Sequence, residues 1–350
     1  MNKTLVTKLS GRIANNELLR LGELRILIDK EEAPTAKSRS IDITVNKNTP
    51  IEIVGDGYFT DKGLSVNKGK SMDLSEGLNT VYLSNDNIVL AILNKYNITE
   101  LFYEHLDDSA ANVSAKHKHI NLEQLKYCRS LKNLTLGGTS TTGDISELSN
   151  LAALTYLTLS RTLITGDISS LKELTSLATL QLENCLAKGD ILSLAGLTNL
   201  KRLYLRNSQT NGNAGLLKCY GIIGLYLDNV TFNANDFVSF SKLEDVILYG
   251  STISGDIALL PDTLSLLLTD NNSSKSCTWS SRKSSAKIIS MPSYLITDNI
   301  DKMLQDQSQC QADVTSSYKT IVAKGIRTSA SDAAVQTLQQ KGYTVSIIPA

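Results

Sequence analysis

The sequence lacks what would commit it to a membrane, to nucleic acid or to catalysis. No stretch of about 18 apolar residues occurs, so no membrane insertion is expected. Met1 to Ser10 hold two lysines but no apolar core of a secretory signal. Lysine plus arginine equals aspartate plus glutamate, 35 each, so no global field draws in nucleic acid or an anionic surface. The five cysteines are odd in number and contain no Cys-x-x-Cys pair, which argues against a disulfide framework or a zinc knuckle; buried thiols are expected. No Gly-x-Ser-x-Gly elbow is present, no cysteine lies in a recognisable catalytic context with histidine, and Asp107 and Asp108 are adjacent rather than opposed.

Two partial motifs fail on inspection. Gly63 and Gly69-Lys70-Ser71 imitate a phosphate loop, but five residues separate the glycines where four are needed, and Met72 to Leu83 reads as strand. His105, His117 and His119 fall within fifteen positions on a polar, lysine-flanked insert, and read as solvated rather than metal-binding. The expectation is a protein that is not an enzyme and has no cofactor and no metal.

What is present is repetition. Leu-x-x-Leu-x-Leu begins at Leu131, Leu154, Leu177 and Leu200, a step of 23 residues each time. Gly143-Asp144-Ile145, Gly166-Asp167-Ile168 and Gly189-Asp190-Ile191 keep the same step. Each Leu-x-Leu reads as a short strand that buries alternate side chains, and one turn cannot bury that face alone; stacked turns can. The fold class implied is an α/β solenoid, a leucine-rich repeat with a parallel concave sheet. Strands are predicted at 132–136, 155–159, 178–182, 201–205, 224–227 and 245–248. Thr139, Thr162, Cys185 and Ser208 form a small-residue column expected to hydrogen-bond the turning backbone.

Before the repeats, residues 1–95 alternate at strand period, as in Leu24-Ile26-Ile28, Ile41-Ile43-Val45 and Ile88-Leu90-Ile92, and predict a separate small antiparallel β domain. Residues 96–350 form the repeat domain. Ile98, Leu101 and Tyr103 read as a degenerate first frame, and the steps shorten after Leu205. A serine-rich stretch from Asn271 to Ser285, holding the single Trp279, is predicted to be a surface loop that the tryptophan pins to the body. Then come a strand near Ile288-Ile289, a helix near Asp298–Gln309, a strand at Thr320–Ala323, a helix from Ser331, its N-cap, to Lys341, and a strand at Tyr343–Ile347.

Thr162-x-Ile164 and Asp167-Ile168 make the turns resemble those of bacterial leucine-rich repeat proteins of the internalin type, with an extra glycine before the aspartate and threonine in place of asparagine. The closing segment, Lys324 to Val345, resembles the tail of repeat proteins from gut Bacteroidales and their phages. The resemblance implies the fold and a role among adhesins, receptor binders or surface proteins; a shared scaffold does not fix a partner.

Strand residues that alternate with the buried leucines face outward: Asn133, Thr135; Tyr156, Thr158; Thr179, Gln181, Glu183; Arg202, Tyr204, Arg206; Tyr226, Asp228; Asp245, Tyr249. The early turns are small and neutral, whereas the later ones gather residue types enriched at interfaces. Arg202, Tyr204, Arg206, Tyr226, Asp228, Asp245 and Tyr249 are therefore the candidate binding face for a protein or glycan. The bland counter-reading is that aromatic residues simply suit strands. The sequence runs from Met1-Asn2-Lys3 directly into β structure, so export by a signal is not expected unless a leader has been removed. The expected location is a virion or bacterial cell surface, with the β domain docked on a larger assembly. A solenoid serving only as a spacer is the alternative.

Overall fold

A Leu-x-Leu strand of three to five residues is too short to persist alone, so its stability comes from in-register pairing with the strand one turn away. The computed structural model describes residues 24–28, 40–53, 58–61, 64–67, 71–74, 76–83, 88–92, 97–102, 118–138, 141–270, 274–292, 299–313 and 318–349. The chain divides into two units, Met1–Gly166 and Asp167–Ala350.

In the first unit, Asn133–Thr135 pairs in parallel with Tyr156–Thr158 on one side and with Ile98–Phe102 on the other. Ile98–Phe102 pairs antiparallel with Ser40–Val45, which pairs antiparallel with Gly77–Leu83. The N-terminal antiparallel strands thus share a hydrogen-bonded sheet with the first repeat turns. A second, antiparallel sheet runs in the order Lys118–His119, Leu24–Ile28, Ile88–Ile92, Thr49–Ile53, Ser71–Leu74. Of the residues expected to alternate, Ile43 and Val45 are buried; the burial of Leu24, Ile26, Ile28, Ile41, Ile88, Leu90 and Ile92 lies outside what is described. The N-terminus at Met1, the glycines of the rejected phosphate loop, Thr139, Tyr103, Asp107, Asp108, His105 and His117 lie outside the described residues.

In the second unit the ladder is Thr179–Gln181, Arg202–Tyr204, Gly224–Asp228, Asp245–Tyr249 and Leu266–Thr269, all parallel. Leu180, Leu203, Leu225, Val246 and Leu267 stand in register at 0% exposure, and each contributes roughly 2 kcal/mol of apolar burial. This is the leucine-rich repeat fold that the sequence implies. Within three residues of the end of its strand, each of the first four turns passes through a left-handed residue, Asn184, Asn207, Asn229 or Gly250, with φ 55°, 52°, 55° and 56°. Asparagine and glycine adopt that conformation at least cost. Cys185 Sγ and Ser208 Oγ donate to the carbonyls of Leu182 and Leu205, at 2.8 and 2.6 Å, as expected of the small-residue column.

The return side differs from an α/β picture in detail. Lys188–Asp190, Gln209–Asn213, Val230–Asn233, Thr252–Asp256 and Ser274–Thr278 form a second parallel ladder, followed in the first four by single 3-10 turns rather than α-helices. A period of 20 to 23 residues leaves too few positions for a longer helix. Asp190, Asn213, Asn233 and Asp256 cap these turns by accepting the amide two residues on, at 2.8 to 3.1 Å. The glycine before the cap has a steric reason. At Gly189 φ is +124°, and a Cβ there would lie 2.5 Å from Oδ1 of Asp167, the cap of the preceding turn.

Two expectations are corrected. The serine-rich stretch is a surface loop only in part: Ser274–Thr278 is the last strand of the return ladder, whereas Ser280, Ser281 and residues 283–285 are exposed and outside any strand or helix. Trp279 is 1% exposed and Arg282 6%. Trp279 Nε1 donates to Asp306 Oδ2 at 3.0 Å, and the Arg282 guanidinium donates to the carbonyls of Ala258, Leu260, Pro261 and Lys287 at 2.9 to 3.3 Å. At Ile288-Ile289 there is no strand but isolated parallel bridges, Leu266 with Ser290 and Met291 with Ile321. Helices α1 (Ile300–Gln309) and α2 (Asp332–Gln340) and the parallel pair Thr320–Lys324 and Thr344–Ile348 follow the sequence reading closely. Ser331 makes no capping hydrogen bond; its hydroxyl donates to Asp301 at 2.6 Å. Gly342, at φ +86°, ends α2 as expected.

Candidate functional site

The candidate residues all belong to the second unit and occupy three rows across its ladder. Arg202, Gly224 and Asp245 are directly in register, as are Gln181, Tyr204, Tyr226, Ile247 and Leu268. Asp228 pairs with Tyr249 in the third row, which starts at Glu183 and Arg206. The alternation that buries the leucines brings these side chains to one surface. Arg202 is exposed; Tyr204, Arg206, Tyr226, Asp245 and Tyr249 are partly exposed.

The tyrosines do more than decorate strands. Tyr204 and Tyr226 stack with ring centroids 4.1 Å apart at 15°. The Arg206 guanidinium lies over the Tyr249 ring, 4.4 Å from its centroid. Such contacts hold large side chains in place before any partner arrives, which lowers the ordering entropy that binding must overcome. Burial raises the Tyr204 hydroxyl pKa and raises that of Tyr226 much further, with Tyr204 and Asp245 adding to the latter. Both stay neutral hydrogen-bonding groups across the physiological range.

The acidic members differ from one another. Asp228 is 7% exposed; its Oδ2 accepts the Asn207 amide at 2.6 Å while Oδ1 is buried without a partner, as is Arg206 Nε. Burial pushes the Asp228 carboxyl up, against the Asn207 hydrogen bond and the Arg206 charge. Asp228 is therefore partly a structural group that closes its neighbour's left-handed turn. Asp245 is also raised by burial, with Glu244 adding and Lys287 opposing, but it remains open to solvent on the face.

Sequence reasoning passed over Gly224. A Cβ there would sit 3.1 Å from Tyr204 Oη and 3.3 Å from Cε1, so the missing side chain lets the Tyr204 ring lie across the next strand and meet Tyr226. The signal was present: the frame positions on either side carry Arg202 and Asp245. Ile247 and Leu268, the apolar continuation of the tyrosine row, were also passed over. Among the described residues no group of three histidine, cysteine, aspartate or glutamate side chains could hold a metal, and no helix is long and apolar enough to cross a membrane.

The architecture is that of leucine-rich repeat proteins. No protein-family model matches the sequence, and no curated protein matches it. Among solved structures, an internalin (inlF) of Listeria monocytogenes is 18% identical with a TM-score of 0.43, over 73% of this chain and 76% of that one. The functional domain of InlJ, also from Listeria monocytogenes, is 12% identical with a TM-score of 0.47, over 77% of this chain and 56% of that one. The leucine-rich repeat ectodomain of the plant membrane receptor kinase GASSHO1/SCHENGEN3 from Arabidopsis thaliana, solved in complex with CASPARIAN STRIP INTEGRITY FACTOR 2, is 17% identical with a TM-score of 0.46 over 65% of this chain. This chain spans only 28% of that ectodomain. At such identities the likeness is one of fold.

Proposed function

We propose that this protein is a non-enzymatic recognition module whose second-unit strand face, centred on Arg202, Tyr204, Arg206, Tyr226, Asp245 and Tyr249, binds a protein or glycan. The observation that carries this reading is the stacked pair Tyr204–Tyr226 beside the Arg206–Tyr249 contact: partly exposed aromatic and arginine side chains that order one another. The test screens the protein and a Tyr204→Ala/Tyr226→Ala double variant against a glycan array and a random-peptide display library. Ligands held by the protein should weaken about tenfold or more in the double variant, with the melting curve unchanged. Equal recovery by both, or recovery by neither, overturns the reading and favours the spacer role.

The N-terminal antiparallel strands are proposed to dock the protein on a phage particle or a bacterial surface assembly. In the described residues that sheet ends at Leu64–Asn67, paired only with Tyr58–Asp61, an edge that a partner strand can extend. Deleting residues 1–95 would also strip Ser40–Val45 from Ile98–Phe102, so the intact protein is the better probe. Immunogold labelling should place it on particles or cell surfaces, and a free cytoplasmic monomer refutes the docking role.

A further inference from the structure

The binding face carries its charges in a split arrangement that narrows what can lie on it. Arg202, Gly224 and Asp245 are consecutive in register, so a cation and an anion stand two strand spacings apart, and the residue between them has no side chain of its own, its place being taken by the Tyr204 ring. Two spacings are about 9.6 Å. The two charges sense each other, since Arg202 lowers the Asp245 pKa against the larger effect of burial, but they form no ion pair among the described contacts. Lys287, the other cation acting on Asp245, is held by Asp313 at 3.3 Å. The remaining charges near Asp245 are the acidic Glu244 and Asp313, so the sign at that end is negative. Tyr204 and Tyr226 supply a flat aromatic surface.

A neutral sugar chain needs aromatic faces and hydrogen-bonding groups, but gains nothing from opposite charges held at a fixed separation. An extended peptide does. In the polyproline-II conformation residues i and i+3 project from the same side, about 9.3 Å apart, which matches the separation of Arg202 from Asp245. Resting on the proposal that this face binds a ligand, we infer that its occupant is an extended segment of a partner protein in which an acidic and a basic side chain lie three residues apart. The acidic group pairs with Arg202 and the basic group with Asp245. The two residues between them lie against the Tyr204–Tyr226 stack, whose Tyr204 ring covers Gly224. Chain direction is not fixed, because either polarity presents the two charges in the required order.

The test uses the full chain and the random-peptide display library with three proteins, the natural sequence, Arg202→Glu and Asp245→Lys, each checked for an unchanged melting curve. The natural protein should enrich acidic-x-x-basic or basic-x-x-acidic sequences. Asp245→Lys should shift enrichment to two acidic residues at that spacing, and Arg202→Glu to two basic ones. Each swap should weaken the original peptides by about tenfold or more. Peptides without a charge pair at that spacing, or identical selections by all three proteins, overturn the inference. Ligands found only on the glycan array and lost with the tyrosines would sink it while leaving the recognition role standing. Loss of tyrosine-dependent binding on both platforms would sink the two together.

Discussion

On one side of the second-unit turns the same residues recur, while on the strand face, apart from the in-register pair Tyr204 and Tyr226, the residue changes from turn to turn. Gly189 and Gly212 each precede an Asp or Asn cap and each crowd the cap of the turn before; Gly255 repeats the arrangement against Asn233. The row through Arg202, Gly224 and Asp245 changes charge, size and chemistry at every step. Recurring positions are those whose surroundings are the neighbouring turn, which is the same each time, so the stack dictates the residue. Face positions look outward, and the stack leaves them free to answer to something else.

The sharpest way to break this contrast is to mutate adjacent residues of one strand. Leu203 is 0% exposed in the ladder, whereas its neighbour Arg202 is exposed. Leu203→Asp buries a charge with no partner and should cost about 4 kcal/mol or more in urea unfolding. Arg202→Ala should stay within about 0.5 kcal/mol. Comparable losses from both would mean that the face is structural after all.

A smaller effect separates glycines that the return side requires from one that it does not. Gly189 combines φ +124° with the contact at Asp167, so Gly189→Ala should cost about 2 kcal/mol. At Gly196, which lacks a positive φ, the nearest atom to an added Cβ is the Lys172 carbonyl oxygen at 3.9 Å, and Gly196→Ala should be nearly neutral. Thermal or urea unfolding of the pair measures the difference, and equal stabilities would remove the steric reason for the repeating glycine.

How much of this was legible follows from the same division. Leu134, Leu157, Leu180 and Leu203 announced the strands because burial imposes apolar residues at period two. The Gly-Asp phrase was visible as a pattern, but its cause, the cap of one turn pressing on the glycine of the next, exists only once turns are stacked. The return ladder was hidden. Two of its strands read Lys188-Gly189-Asp190 and Ser274-Lys275-Ser276-Cys277-Thr278, too polar to show apolar alternation, although Val230 and Phe232 alternate in a third. That is why the serine-rich segment read as a loop. Arg282 marks the limit of equating irregular residues with function, since it occurs in no repeat and yet is consumed by four carbonyls inside the fold. The face residues could be named from alternation alone, whereas the stacking of Tyr204 on Tyr226 could not, because it depends on a side chain that is absent.

Gly224 therefore provides the finest test, with the smallest stability change expected of the three. Alanine suits a strand better than glycine by roughly 0.5–1 kcal/mol. The added Cβ, 3.1 Å from Tyr204 Oη and 3.3 Å from Cε1, presses on a ring that is partly exposed and able to give way by a few tenths of an ångström. These two effects oppose each other, so Gly224→Ala should leave unfolding within about 0.5 kcal/mol of the original. The aromatic pair should register what stability does not, because shifting Tyr204 disturbs the 4.1 Å stack and with it the near-ultraviolet circular dichroism of the tyrosines. Ligand binding at the face should weaken alongside that signal. An unchanged tyrosine spectrum would show that Tyr204 reaches Tyr226 without help from Gly224, and a large loss of stability would move Gly224 to the side of the repeat that the stack dictates.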